Sequence, residues 1–207
     1  CSSDLLKGIY LERGYRLRDI PRLILEKNLY GLDIDDRAAQ MAGFALMMKA
    51  RADDRRLLEE PIALNVLSLQ ESKGLPQEEI TVALAPYGIS AEVVKALLIT
   101  FEHAKTFGSL IQIPESLNEQ LPNLADALSK ASKAGDLYAH QAANDLLPLV
   151  WQGLLLGRQY DAVIANPPYM GGKYLTPALK TYAKITFPNS KSDLFAMFIE
   201  RGFEWSK

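Results

Sequence analysis

Short apolar runs that alternate with longer stretches of helical periodicity restrict the fold of this chain more than any other feature. The runs occupy residues 28–35, 62–69 and 160–165, and helix-type spacing or a turn follows each of them. Strands that are separated by helices pair in parallel, because the helix returns the chain to the end of the sheet from which it came. We therefore predict an α/β fold with a mostly parallel sheet.

The residues between the second and third runs have a different character. Pro, Gly and Ser punctuate a series of helical patterns, and only residues 108–113 suggest a further strand. Two helices are predicted within residues 5–27, with a break near Gly14, and another ends at about Arg56. In the central region the predicted helices cover residues 91–107, 116–132 and 136–156. We divide the chain into an amino-terminal part of the core (1–71), a helical insertion (72–157), and a strand, loop and helix (158–207).

Charge and composition exclude several classes of function. The formal net charge of −2 is unlike that of a domain that grips a phosphate backbone over its whole surface. Cys1 is the only cysteine, and His103 and His140 have no ligand spacing, so we expect no disulfide, no metal site and structural roles for both histidines. Because no run is long enough to cross a bilayer and no signal peptide is evident, we expect a cytoplasmic protein without a membrane partner.

The third apolar run stops at Asn166-Pro167-Pro168-Tyr169, and this corner is the candidate catalytic site. Two prolines fix the backbone and remove two amide donors, which leaves the carbonyl oxygens free to accept hydrogen bonds. The Asn166 side chain and the Pro167 carbonyl would each accept one N–H of an exocyclic amino group, and its lone pair would face an incoming methyl group. Tyr169 would stack on the attached heterocycle, which must leave a duplex to reach the site.

The same four residues also suit a plain proline turn after a core strand, with Tyr169 as a packing residue. Motifs of this length recur by chance. Their position favours a site, because open α/β sheets bind ligands at the carboxyl ends of their strands.

Asp33 lies at the end of the first apolar run and is the candidate ligand of a ribose. A carboxylate only accepts hydrogen bonds, which suits the two hydroxyl groups of a nucleoside. The alternative for a carboxylate here is to cap the following helix, and Asp35 or Asp36 fits that role better.

At this point a family resemblance becomes visible. The sequence resembles the gamma-class amino-methyltransferases of DNA, and more closely the PglX adenine methyltransferases of BREX phage-defence systems. The resemblance rests on residues 31–40 (GLDIDDRAAQ), 165–173 (ANPPYMGGK) and 189–195 (NSKSDLF). It implies a partial Rossmann-like methyltransferase sheet with a helical insertion. It also implies a site-specific enzyme of phage defence or restriction-modification, which transfers a methyl group from S-adenosylmethionine to the N6 amino group of adenine.

The resemblance also implies roles for individual residues. Double-stranded DNA would supply a flipped adenine, other defence-system proteins would be further partners, and the catalytic set would be Asn166, Pro167, Pro168 and Tyr169. Asp33 with Ile34 would bind the cofactor ribose, and Phe198 would line the pocket for the cofactor's adenine. The polar contact to that adenine falls at Glu71, with Gln70 and Ser109 as competing positions.

The sequence departs from the family in one respect. Nothing in it matches the strand and glycine-rich turn that hold the methionine part of the cofactor, and residues 1–3 are no substitute. We therefore expect an internal fragment that binds the cofactor poorly and is inactive alone. Two further functions remain open: methylation of an RNA base or a protein glutamine amide by the same corner, and a noncatalytic module that binds a partner.

A basic segment follows the corner. Between Met170 and Ser192 there is no acidic residue, and the segment carries Lys173, Lys180, Lys184 and Lys191 among the aromatic residues Tyr174, Tyr182 and Phe187. Such a loop could contact DNA phosphates beside the flipped base, or it could be a solvated helix face with packed aromatic residues. Elsewhere, the methionine cluster Met41, Met47 and Met48 with Phe44 is predicted to lie in the core.

Overall fold

The computed structural model describes residues 2–59, 62–168 and 171–207, and it divides the chain into two compact units. Unit one spans Cys1–Leu69 and unit two spans Gln70–Lys207. The first boundary lies close to the one expected at residue 71, and unit two contains both the helical insertion and the final segment. The division of the chain into three functional parts stays a prediction.

Unit one contains a two-stranded parallel sheet. Strand β1 (Tyr30–Asp33) pairs with β2 (Asn65–Ser68), with Tyr30 opposite Asn65 and Asp33 opposite Ser68. The parallel pairing agrees with the prediction, and each strand occupies the centre of its apolar run. Because the two strands point the same way, their carboxyl ends lie at one edge of this sheet.

The described residues of unit one also form four helical segments. Helix α1 ends before Gly14, whose positive φ of 82° breaks the helical path as predicted. The side chain of Asp35 accepts hydrogen bonds from the Arg37 and Ala38 amides at 2.7 and 3.0 Å, so Asp35 is the cap of the third helix. The segments are α1 (Ser2–Glu12), α2 (Ile20–Leu23) continuing into a π-helical turn (Ile24–Asn28), α3 (Asp36–Arg51) and a 3₁₀ turn (Arg55–Leu58).

The core of unit one includes one side of α3 but not its methionine cluster. Buried Leu25, Ala50 and Leu57 form its centre, and Met47 packs against them. Three other members of the cluster are exposed, so the prediction of a core cluster is wrong for Met41 (66% exposed), Phe44 (62%) and Met48 (44%). These three are spaced by three and four residues and share the side of α3 that faces away from the core.

Unit two is helical throughout the predicted insertion. The predicted helix over residues 91–107 is interrupted after Phe101, and residues 108–113 form a 3₁₀ turn and an extended loop, so the suggestion of a strand there is wrong. The helices are α4 (Gln77–Leu84), α5 (Ala91–Phe101), α6 (Ala104–Phe107), α7 (Glu115–Asn118), α8 (Leu121–Ala131), α9 (Leu137–Leu156), α10 (Pro177–Thr186) and α11 (Leu194–Trp205), with 3₁₀ turns at Ala85–Tyr87, Gly108–Leu110 and Gly172–Tyr174.

Helix α9 is the centre of unit two and packs against α8, α4 and α5. Its first turn is capped by Asp136, which accepts a hydrogen bond from the Tyr138 amide at 2.9 Å. Gly153 permits a close approach, because a Cβ there would lie 3.0 Å from the Leu121 side chain. Within the described part of the chain, no helix is long and apolar enough to span a membrane.

The strand predicted over residues 160–165 is wrong in this structure. Only Tyr160 pairs, in a parallel bridge with Ser206, and its amide donates a 2.7 Å hydrogen bond to the Trp205 carbonyl. Residues 162–168 have no regular secondary structure, and Ile164 is 87% exposed. An apolar run becomes a strand only where a neighbouring strand receives its backbone hydrogen bonds, and Tyr160 alone finds one among the described residues.

Candidate functional site

The Asn-Pro-Pro corner lies at the surface of unit two. The Asn166 and Pro168 side chains are exposed, whereas Pro167 is buried and anchors the corner. Both peptide bonds that precede the prolines are trans. The fourth catalytic candidate, Tyr169, lies outside the described residues.

The corner offers two unsatisfied acceptors. Neither the Asn166 side-chain oxygen nor the Pro167 carbonyl accepts a hydrogen bond from any described residue. The prolines contribute no N–H that could fill these positions. A donor with two N–H groups, such as an exocyclic amine, therefore matches what the corner presents.

The segment after the corner is a closed loop, which we call the neck loop (residues 171–193). Gly171 and Asp193 form an antiparallel bridge, and the Gly172 amide donates a 2.7 Å hydrogen bond to the Ser192 carbonyl. Gly172 is required for this approach, because a Cβ would lie 3.1 Å from the same carbonyl oxygen. At the far side of the neck, Asp193 caps α11 by accepting a hydrogen bond from the Phe195 amide at 2.8 Å.

An apolar cluster fixes the neck loop to the rest of unit two. Tyr182 stacks on Phe107 with ring centroids 4.3 Å apart, and its hydroxyl donates to the Leu110 carbonyl and accepts from the Gln112 amide. Burial raises the pKa of Tyr182 above its usual value. The cluster of buried residues consists of Leu110, Leu175, Leu179, Ala183, Phe187, Leu194 and Met197. Of the aromatic residues singled out in the sequence, Tyr182 and Phe187 thus have packing roles, whereas Tyr174 is 71% exposed.

Asp33 presents a carboxylate at the carboxyl end of β1. It is exposed, and its Oδ1 accepts a 2.8 Å hydrogen bond from the Asp35 amide. Among the described residues no donor reaches its second oxygen, Oδ2. The neighbouring Ile34 is 48% exposed. Since Asp35 is the helix cap, Asp33 remains the carboxylate that is available to a ligand.

The chain beyond β2 is held by Gln152, a residue that the sequence analysis did not single out. The Gln70 amide donates to Gln152 Oε1 at 2.8 Å, and Gln152 Nε2 donates to the Gln70 carbonyl at 2.9 Å. Gln152 is completely buried on α9. Its side-chain amide pairs with both the N–H and the carbonyl of Gln70, as the backbone of a neighbouring strand would. An isolated glutamine among Leu149, Val150 and Gly153 is the only signal of this role in the sequence.

Glu71, the first candidate for the cofactor's adenine, already has a structural contact. Its Oε1 accepts a hydrogen bond from the Lys105 amide at 3.2 Å, at the start of α6. The competing Ser109 uses its carbonyl to accept a 3.4 Å hydrogen bond from Arg201 Nε. Phe198 is partly buried and packs on the apolar cluster below the neck loop.

Arg201 is the second residue that sequence reasoning missed, and it anchors α11. It is 6% exposed and donates hydrogen bonds to the carbonyls of Ile111 and Leu156 at 2.7 and 3.1 Å. It also pairs with Glu204 at 2.7 Å, and its guanidinium lies 4.3 Å from the centre of the Trp205 ring. Burial lowers the pKa of Arg201, a shift that the pairing with Glu204 opposes.

The described candidate residues are distributed over both units. Asp33 and Ile34 belong to unit one, whereas Glu71, Asn166 and Phe198 belong to unit two, where no hydrogen bond joins these three among the described residues.

The two histidines make local contacts. His103 packs edge-on against Phe107 at 5.4 Å, and His140 Nδ1 lies 2.6 Å from the Ser132 carbonyl oxygen. Within the part of the chain that the structure describes, no group of His, Cys, Asp and Glu could hold a metal ion.

Comparisons with known proteins find one methylase family and two curated relatives. The family model of the Eco57I restriction-modification methylases matches residues 27–207. An adenine-specific methyltransferase BrxX of Escherichia coli O9:H4 (strain HS) is 46% identical over 225 aligned positions, which cover 99% of this chain and 19% of that protein. An adenine-specific methyltransferase PglX of Lacticaseibacillus casei (strain Zhang) is 34% identical over 203 positions, which cover 96% of this chain and 17% of that protein. The chain thus spans less than a fifth of the length of these curated relatives.

Proposed function

Because this chain belongs to the Eco57I restriction-modification methylase family, we propose that it is part of an enzyme that methylates the N6 amino group of adenine in DNA. The methyl donor we propose is S-adenosylmethionine, which supplies an electrophilic methyl group when it is bound. The relatives that match over nearly the whole chain carry the description "adenine-specific methyltransferase". The observation that carries the proposal is the corner itself, where the exposed Asn166 side-chain oxygen and the Pro167 carbonyl accept no hydrogen bond from a described residue.

Asn166 and Pro167 orient the amine in this proposal. The Asn166 side-chain oxygen accepts one N–H and the Pro167 carbonyl accepts the other, so the nitrogen lone pair points away from both. Positioning of this kind lowers the barrier of a direct transfer, and no protein nucleophile is needed. As the new N–C bond forms, the bond between the methyl carbon and the sulfonium sulfur of the donor would break, S-adenosylhomocysteine would leave, and the nitrogen would release a proton to water. Tyr169 is the proposed stacking partner of the adenine ring.

Asp33 is the proposed ligand of the cofactor ribose. Its exposed carboxylate, with Oδ2 available among the described residues, fits a pair of hydroxyl donors. Ile34 and Phe198 are the proposed apolar neighbours of the cofactor, and Glu71 the proposed polar contact to its adenine. The two parallel strands support a Rossmann-like methyltransferase sheet as the framework for these residues.

The test is methyl transfer by the natural protein that carries this sequence. With labelled cofactor and separate DNA, RNA and protein acceptors, we expect the label in DNA as N6-methyladenine. Asn166→Ala should lower the rate roughly 100-fold or more, by the loss of one positioning contact, while cofactor affinity stays unchanged. Asn123→Ala, an exposed asparagine on α8, is the matched control.

Cofactor binding tests the role of Asp33 independently of methyl transfer. Asp33→Asn replaces the carboxylate by an amide of the same shape and should weaken cofactor affinity about tenfold or more.

An unchanged rate in Asn166→Ala would remove the catalytic assignment. Label in RNA or in a glutamine amide would change the substrate class, and absence of any transfer would favour a noncatalytic module.

A further inference from the structure

Four lysines of the neck loop form a surface of uncompensated positive charge, which we call the lysine surface. All four are exposed, and the loop contains no acidic residue until Asp193 at its end. None of them forms an ion pair with a described residue. The members are Lys173, Lys180, Lys184 and Lys191.

This concentration of charge runs against the rest of the chain. The formal net charge is −2, and several cations elsewhere have carboxylate partners: Lys7 with Asp53 at 2.6 Å, Arg22 with Glu26 at 2.9 Å and Lys207 with Asp161 at 2.9 Å. A local group of like charges repels itself and gains nothing from the fold. An anionic partner supplies the missing attraction.

The surface stands on a fixed support. Lys180 and Lys184 lie one turn apart on an exposed side of α10, next to the side on which Leu179 and Ala183 are buried in the apolar cluster. The hydrogen bonds of Tyr182 hold the middle of the loop, and the Gly172–Ser192 contact joins its two ends. Binding therefore costs little ordering of the backbone.

We propose that the lysine surface binds phosphates of double-stranded DNA beside the adenine that Asn166 would hold. The inference rests on the proposed function, since the neck loop begins three residues after Pro168. DNA carries a dense line of negative charge, and lysines that contact it release condensed counterions, which makes the affinity depend on salt. The lysines would position the duplex and would not read its sequence.

The experiment measures the salt dependence of DNA binding by the natural protein that carries this sequence. A labelled duplex of mixed sequence is titrated at salt concentrations between about 50 and 200 mM. A plot of log K against log salt has a negative slope, and each lost phosphate contact reduces the magnitude of that slope by about 0.9. We expect a decrease of about 1.8 for the double variant Lys180→Gln/Lys184→Gln and about 3.6 when Lys173 and Lys191 are changed as well.

Lys95→Gln/Lys130→Gln is the matched control, because both lysines are exposed on other helices of unit two. The proposal is overturned if the magnitude of the slope decreases by less than about 1 in the quadruple variant. It is also overturned if the control variant shows the same decrease as the lysine variants. A quadruple variant that loses binding to phosphatidylserine vesicles but keeps its DNA affinity overturns it as well.

Methyl transfer by the same preparations separates this proposal from the proposed function. If transfer to DNA requires Asn166 but the lysine variants leave the slope unchanged, only the lysine surface is refuted. If the slope falls as expected and no methyl group reaches DNA, the surface stands and the proposed function fails.

Discussion

Gln152 provides the sharpest test of how unit two holds the chain after β2. The side chain is completely buried and makes two hydrogen bonds, at 2.8 and 2.9 Å, with the backbone of Gln70. Leu has a similar size and cannot replace either bond. At about 1 kcal/mol for each bond, Gln152→Leu should weaken the local structure around Gln70 by about 2 kcal/mol.

Amide hydrogen exchange measures this effect at one site. A cost of about 2 kcal/mol corresponds to roughly a 30-fold rise in the opening equilibrium, and hence in the exchange rate of the Gln70 amide. The control is Gln141→Leu on the same helix, which removes an exposed bond to Asp145 and should leave Gln70 unaffected. If exchange at Gln70 in Gln152→Leu stays within about threefold of the unaltered chain, the side chain does not act as the missing strand.

Three further substitutions test other parts of unit two. Gly172→Ala should lower the free energy of unfolding in urea by about 1 kcal/mol or more, because its Cβ would lie 3.1 Å from a carbonyl oxygen. Gly171→Ala, with open space around a Cβ, should be neutral. Equal effects of the two substitutions would refute the argument. Arg201→Met should cost about 3 kcal/mol, read from thermal unfolding, because buried carbonyls lose their donor; a loss below about 1 kcal/mol would contradict this role. Burial raises the pKa of Tyr182, so the unfolded chain releases this proton first and stability falls as pH rises above about 10. Tyr182→Phe should remove that part of the alkaline loss in urea titrations, and Tyr138→Phe, at a 79% exposed position, should not.

Local features of the fold followed directly from the sequence. Neighbouring residues alone determine the break at Gly14 and the helices on either side of that glycine. The same holds for the helix cap at Asp35. The parallel pairing of β1 and β2 was also predicted, because an intervening helix leaves no other simple connection.

Features that depend on distant partners were not predicted. Apolar character at residues 160–165 reports that a strand would be stable if a neighbour paired with it, and only Tyr160 has such a neighbour here. The same limit applies to Phe44, whose apolar side chain says nothing about which side of α3 is covered. Gln152 and Gln70 are separated by 82 positions, so no local pattern relates them.

The candidate site divides in the same way. The acceptor oxygens of Asn166 and Pro167 and a helix cap at Asp35 or Asp36 follow from residue chemistry, and the structure assigns the cap to Asp35. The ribose role of Asp33 stays a prediction. The contact between Glu71 and the Lys105 amide does not follow from residue chemistry, since it depends on where α6 begins. The burial of Arg201 was not predicted either, since it arises from carbonyls contributed by two separate segments.

The closed neck between Gly171 and Asp193 has an evolutionary consequence. Because both ends of the loop lie side by side, its exposed turns can gain or lose residues without separating the ends, whereas Leu179 and Phe187 must stay because they belong to the apolar cluster. Doubling the length of a flexible loop costs only about 0.6 kcal/mol in closure entropy. Related proteins can therefore diversify the exposed positions of this segment, while its buried positions, the flanking corner and the cap keep their places.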